Sequence, residues 1–388
     1  MPDFSMKIRT WAGRIQKRRS FARSVGLIFL VMSLLVAGCG GSEASHDPDK
    51  VNVVTTLYPL YFLAQAIGGE DAHVVNLVPA GVEPHDWTPK SRDLAIASSA
   101  QLFLYHGAGL EGWTEQFLQG LPANSQLVRV EVSRGIALID QDGEFVNDKH
   151  AHETHQEHSH DHKSHGHEDD AQEHEHESSG HEHDAHQEHG HDHEVIGEEH
   201  AHGGEAHSHA GHVHAGTDPH TWVSPKSAMV LAANIRDAFV QVDGARQSAY
   251  EARYHKLIEQ LETLDQEYES RLAPHRGKDI VVSHQAFAYL CRDYGLNQVA
   301  IMGLSPDAEP RAQDMLKIIR YMKENEIKYI FLEQLVSGGP AEIIASETGA
   351  SLLVLNPLEG LTPQQERAGE DYLSLMQSNL QNLLQALQ

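Results

Sequence analysis

Between Ala245 and Leu272 the sequence contains neither glycine nor proline and is dense in long and charged side chains. As one helix, a stretch of about 28 residues would reach about 42 Å. It separates two blocks with the same internal alternation. Before it, the runs Val51–Leu57, His73–Val78, Gln101–Tyr105 and Leu127–Val132 are short and rich in β-branched residues, as strands are. Helical segments fall at Tyr58–Ile67, Lys90–Ser99, Leu110–Gln119 and Pro225–Val240. After it, strands are expected at Asp279–His284, Gln298–Met302, Tyr329–Glu333 and Ser351–Leu355. Helices are expected at Gln285–Asp293, Ser305–Asn325, Gly339–Thr348 and Asp371–Leu387. Strand-helix alternation implies parallel sheets covered on both faces. The expected fold is therefore α/β: two lobes, each with a mainly parallel four-stranded sheet flanked by helices, joined by one long rigid helix. A stiff connector predicts little movement of one lobe against the other.

One pattern occurs twice. Glu83-Pro84-His85-Asp86-Trp87 is followed by Thr88-Pro89-Lys90-Ser91, and Asp218-Pro219-His220-Thr221-Trp222 by Ser224-Pro225-Lys226-Ser227. Thr88 and Ser224 suit a helix N-cap, and Pro89 and Pro225 the first helical position. Each histidine would sit on a turn stiffened by proline, just before a helix. Two imidazoles presented alike point to two ligands of one metal ion. Ligands in parallel sheets bind beyond the carboxyl ends of strands. The His85 loop follows such an end. So does His284, and so does the run Asn356-Pro357-Leu358-Glu359-Gly360-Leu361. His106 also ends a strand and reads as a supporting or structural residue. Trp87 and Trp222 are expected to pack at the lobe interface.

The formal net charge is -27. Residues 140–216 hold 21 Asp and Glu against two Lys and account for -19 of it. The acidity is local, and nucleic acid, which needs a basic face, is excluded as a partner. Of 30 histidines, 22 lie between His150 and His214 among Glu, Asp, Gly and Ser. With almost no apolar residues this tract cannot offset the entropy of ordering, and it reads as a disordered insertion at 140–217 in the first lobe. Such a composition binds Zn²⁺, Ni²⁺ or Cu²⁺ loosely, which suits metal collection or buffering.

The first 39 residues have the layout of an export signal. Arg9, Arg14, Lys17, Arg18, Arg19 and Arg23 precede an apolar run, Val25–Val36, that is short for a membrane span. Lys17-Arg18-Arg19-Ser20-Phe21 looks somewhat like a twin-arginine signal. The run closes on Val36-Ala37-Gly38-Cys39, similar to the lipobox of bacterial lipoproteins, in which the cysteine carries lipid. Residues 40–50 read as a tether. With Cys39 lipidated, Cys291 has no disulfide partner. The expected domains are a signal peptide at 1–39, a lobe at 51–243, the connecting helix at 244–274 and a second lobe at 275–388.

With Pro84-His85, Asp218-Pro219-His220, Ser283-His284-Gln285-Ala286-Phe287 and Asn356-Pro357-Leu358-Glu359-Gly360-Leu361 in place, the chain from Val51 to Gln388 resembles the cluster A-I solute-binding receptors of bacterial ABC importers for zinc and manganese. The resemblance implies two α/β lobes with metal held between them by His85, His220 and His284. Many members place an aspartate in an Asp-Pro-Leu turn as the fourth ligand. Here that position is Asn356, a poor ligand, and similar zinc lipoproteins use the following glutamate, here Glu359, with water as the alternative.

Three imidazoles and a carboxylate suit tetrahedral Zn²⁺, whereas Mn²⁺ favours more oxygen ligands, and Cu²⁺ could bind more tightly in vitro. The expected function is a high-affinity, lipid-anchored zinc receptor, monomeric and outside the cytoplasmic membrane, facing the periplasm or the cell exterior. It would hand Zn²⁺ to an ABC permease. The alternatives are a manganese receptor, a surface metal buffer or adhesin, and a zinc hydrolase. The last lacks a His-Glu-x-x-His motif, and a fourth ligand at Glu359 would close the position that catalysis needs.

Overall fold

The computed structural model describes residues 47–123, 125–140, 216–306 and 309–388. The export signal, the lipobox Cys39, most of the tether and nearly all of the histidine tract lie outside them.

The first lobe is built on β1 (Val51–Thr55), β2 (Ala72–Asn76), β3 (Leu102–Tyr105) and β4 (Val128–Glu131), with α1 (Tyr58–Gly68), α2 (Ser91–Ser98) and α3 (Thr114–Gln119) between them. Then come α4 (Pro225–Val242) and the long α5 (Gln247–Leu272), flanked by 3-10 turns at Gly244–Arg246 and Ala273–His275. The second lobe carries β5 (Asp279–Val282), α6 (Ala288–Tyr294), β6 (Asn297–Ala300), α7 (Ala312–Glu324), β7 (Tyr329–Leu332), α8 (Gly339–Thr348), β8 (Ser351–Val354), α9 (Pro363–Ala368) and α10 (Tyr372–Ala386). Both sheets have four strands, in the orders β2-β1-β3-β4 and β6-β5-β7-β8. Every pairing is parallel. The two sheets thus share one topology, and each reverses strand order beside its first strand, where a crevice opens at the carboxyl ends.

Alternate residues of each strand serve different cores. Val51, Val53, Leu102 and Leu104 face one large apolar cluster, which Ile280, Val282 and Phe331 of the second lobe also join. Val54 and Phe103 face a smaller core on the outer side of the first sheet, and Val281 and Ile330 one on the outer side of the second. The central core is therefore continuous across both lobes. Helix α5 supplies much of it through a buried stripe at Tyr250, Leu257, Leu261, Leu264, Tyr268 and Leu272, which recurs every three, four or seven residues. Tyr268 ties this helix to α10 by donating its hydroxyl hydrogen to the Met376 carbonyl at 2.6 Å. Truncating such a side chain, as in Leu261→Ala, would cost about 2–5 kcal/mol.

Several helices begin later than sequence periodicity suggests. Helix α2 starts at Ser91 and not after Thr88, because Lys90 is still extended and donates its N–H to the Asp93 carboxylate at 2.7 Å. The second copy of the motif behaves as expected in outline: Ser224 is the N-cap and Pro225 opens α4. The Ser224 hydroxyl, however, donates to the Asp293 carboxylate of the second lobe and does not cap its own helix.

Candidate metal centre

Four side chains converge between the sheets: His85, His220, His284 and Glu359, with one ligand atom from each lying within 4.8 Å of the others. Among the described residues this is the one group of its kind. His85 comes from the loop that follows β2, and His284 stands two residues beyond β5. His220 precedes the 3-10 turn Thr221–Val223, and Glu359 follows β8.

Each of the four has its own support. Asp218 accepts the His220 backbone N–H at 2.9 Å, and the same oxygen lies 2.9 Å from His220 Nδ1. Glu333, at the carboxyl end of β7, accepts the His284 N–H at 3.1 Å and places its other oxygen 2.5 Å from His284 Nδ1. A carboxylate behind Nδ1 favours a proton there and leaves Nε2 free to take a cation. His85 has only a backbone contact of this kind, from its N–H to Glu83 Oε1 at 3.3 Å. The two acid-Pro-His motifs therefore share the turn contact, but only the Asp218 copy also holds the ring. His85 is also the most accessible of the four, with 11% of its side chain exposed against 0% for His220 and His284 and 1% for Glu359.

Glu359 is aimed by an unusual backbone. Leu358 has φ of +63°, the left-handed region that branched residues avoid. Asn356 Oδ1 accepts the Leu358 N–H at 2.7 Å, and the Asn356 backbone is in turn bonded to the Asn379 side chain. The asparagine at the position of the resembled family's aspartate is thus committed to shaping the loop, and Glu359 reaches the centre.

The spacing of the four atoms is informative. Nε2 of His220 lies 3.0 Å from Nε2 of His85 and 3.4 Å from Nε2 of His284. Glu359 Oε1 lies 3.0, 3.4 and 3.7 Å from Nε2 of His220, His85 and His284. A tetrahedron of ligands about 2.0–2.1 Å from a central ion has edges of about 3.3 Å. The observed separations bracket that value. Both Glu359 oxygens are buried without an aligned hydrogen bond, which is costly unless a cation takes their lone pairs.

The electrostatics agree. Burial alone would lower the His220 pKa, but contacts with Asp218 and Glu359 outweigh it and raise it to about 10. Burial alone would raise Glu359, yet His220 and His85 hold it below the usual carboxylate range. Burial and the nearby Glu359 charge push Glu83 up to about 8.

His106 is fully buried and stands outside the four. Its Nε2 lies 3.3 Å from the Thr221 hydroxyl and its ring packs edge-on against Trp222, so it supports the His220 turn. Burial lowers its pKa to about 3 and keeps it neutral. Trp222 packs at the lobe interface as expected, since its indole N–H donates to the Pro357 carbonyl. Trp87 does not: it packs edge-on against Trp113 beside the outer core of the first lobe. Glu333 was not singled out by the sequence reading. Its one signal was an acid at the carboxyl end of a central strand.

A pair of α/β lobes sharing a long helix, with a buried three-histidine, one-carboxylate cluster between them, defines a two-lobed α/β protein with a candidate metal centre. The chain belongs to the ZnuA family: the family model, described as zinc-uptake complex component A, periplasmic, matches residues 53–386. It is 34% identical over 358 residues to the high-affinity zinc uptake system protein ZnuA of Bacillus subtilis, covering 91% of this chain and 94% of that one. It is 33% identical over 340 residues to the zinc-binding protein AdcA of Streptococcus pyogenes, covering 86% of this chain and 55% of that one. The chain thus spans about half the length of the AdcA relatives. Among solved structures, the Zn(II)-bound ZnuA-like domain of Streptococcus pneumoniae AdcA superposes with a TM-score of 0.62 at 30% identity, covering 87% of this chain and 99% of that domain.

Proposed function

We propose that this protein captures Zn²⁺ outside the cytoplasmic membrane and delivers it to the permease of an ABC importer, with His85, His220, His284 and Glu359 as the four ligands. The observation that carries the reading is the set of 3.0–3.7 Å separations among the ligand atoms, which fit a tetrahedral ion. An octahedral ion such as Mn²⁺ favours more oxygen donors than the three imidazoles and one carboxylate gathered here. Three neutral imidazoles and one carboxylate leave one positive charge on the bound ion. The Asp218 and Glu333 carboxylates behind two of the rings offset it through the ligands themselves.

The work is binding, not bond-breaking. Four protein ligands fill the tetrahedron, so no position is left to activate a water. Residues 51–243 form the half that presents His85 and His220, with the insertion at 140–217. Residues 275–388 present His284 and Glu359, and 244–274 hold the halves in register. Lipid on Cys39 would keep a monomeric receptor beside its permease. No helix among the described residues is long and apolar enough to cross a membrane.

The test is zinc titration of the full chain against a chelator that strips weak sites. One tight zinc per chain is expected, and it should be lost in His284→Ala with the fold retained by circular dichroism. Tight zinc that survives in His284→Ala would overturn the assignment.

A further inference from the structure

The peptide between Pro357 and Leu358 is held at both ends. Its N–H is taken by the Asn356 side chain at 2.7 Å, and its C=O by the indole N–H of Trp222 at 2.7 Å. Because a peptide unit is planar, these two bonds together fix its rotation. That rotation sets the left-handed φ of Leu358, and Leu358 aims Glu359. Trp222 belongs to the first lobe and stands two residues beyond His220. It is fully buried, its own carbonyl accepts the Tyr372 hydroxyl at 2.6 Å, and its ring packs edge-on against His220 and His106.

We infer that Trp222 is a positioning residue for metal capture, which holds Glu359 in its ligating direction by locking the Pro357–Leu358 peptide from the opposite lobe. The inference rests on the zinc reading above. With the indole bond gone, the peptide can rotate and let Leu358 relax out of the left-handed region. Glu359 then swings away from the histidines. Two ligands from different lobes, His220 and Glu359, are thereby joined through protein before any ion arrives.

The experiment is a double-mutant cycle on zinc affinity in the full chain, measured by chelator competition, with Trp222→Phe and Glu359→Gln. Phenylalanine keeps a ring and removes the N–H. Trp222→Phe alone should weaken zinc binding about tenfold, and by less than about twofold when Glu359 is already Gln. A general structural role predicts the same loss in both backgrounds, and equal losses, or none in either, would overturn the inference. Should Trp222→Phe fail to fold, Tyr372→Phe replaces it. That change deletes only the hydroxyl that steadies Trp222, and its smaller loss must likewise vanish with Glu359→Gln. If the wild-type chain itself holds no tight zinc, the zinc reading falls and takes this inference with it. If it holds zinc but the cycle is additive, only the inference falls.

Discussion

Glu333 meets His284 at two points, accepting its backbone N–H at 3.1 Å through one oxygen and standing 2.5 Å from its ring Nδ1 with the other, an ion-pair contact without hydrogen-bond alignment. Backbone and ring are thus oriented by a single carboxylate from the neighbouring strand β7. The geometry puts Nε2 toward the three other side chains of the cluster. Asp218 plays the same part for His220 from two residues away in sequence.

Removing either carboxylate's charge should weaken zinc binding without abolishing it. Glu333→Gln and Asp218→Asn should each lower affinity about 10- to 100-fold. Chelator competition measures this directly. Unchanged affinity in both variants would mean that the rings are held by the loops alone.

His106 gives a pH dependence with a definite sign. Its pKa falls from an ordinary value of about 6.5 to about 3 in the folded protein because burial disfavours the charged ring. The unfolded chain therefore takes up a proton below pH 6.5 that the folded chain refuses until about pH 3. The contribution is fully present above pH 6.5 and is lost as pH falls toward 3. Between pH 7 and 5, metal-free protein should lose about 2 kcal/mol through this residue alone. Denaturant unfolding of His106→Asn at the two pH values should show a correspondingly smaller difference. An equal pH dependence in variant and wild type would contradict the account.

Much of the site was legible in the sequence because its signals are local. The doubled acid-Pro-His turn pointed to His85 and His220, parallel-sheet topology placed His284 and the Asn356–Leu361 run at strand ends, and the family resemblance singled out Glu359 in that run. What escaped is what acts through space. Glu333 and Tyr372 matter because β7 and α10 lie beside β5 and the His220 turn, and no sequence pattern states that adjacency. The late helix starts have a related cause. Residues 110–113 stay out of α3 while Glu111 spends its carboxylate on the backbone N–H groups of His106 and Gly107 and on Thr56. Gln285 and Phe287 direct their N–H groups to Gly303 and the Gln298 side chain, so α6 waits until Ala288. In each case a polar contact outcompeted helical propensity.

A chain lacking residues 150–214 should keep its one tight zinc and should hold fewer loosely bound ions than the full chain with its 22 further histidines. Under equal Zn²⁺ and Mn²⁺, metal analysis of that shortened chain should find zinc. Loss of the tight ion would favour a metal buffer, and manganese in the site would overturn the cargo.

The central claim is that one ion joins His85, His220, His284 and Glu359. Anomalous diffraction at the zinc edge, from crystals of the full chain grown with one equivalent of zinc, tests it most directly. The account predicts a single strong peak about 2.0–2.2 Å from the three Nε2 atoms and a Glu359 oxygen. A peak elsewhere with none among these four residues would contradict it.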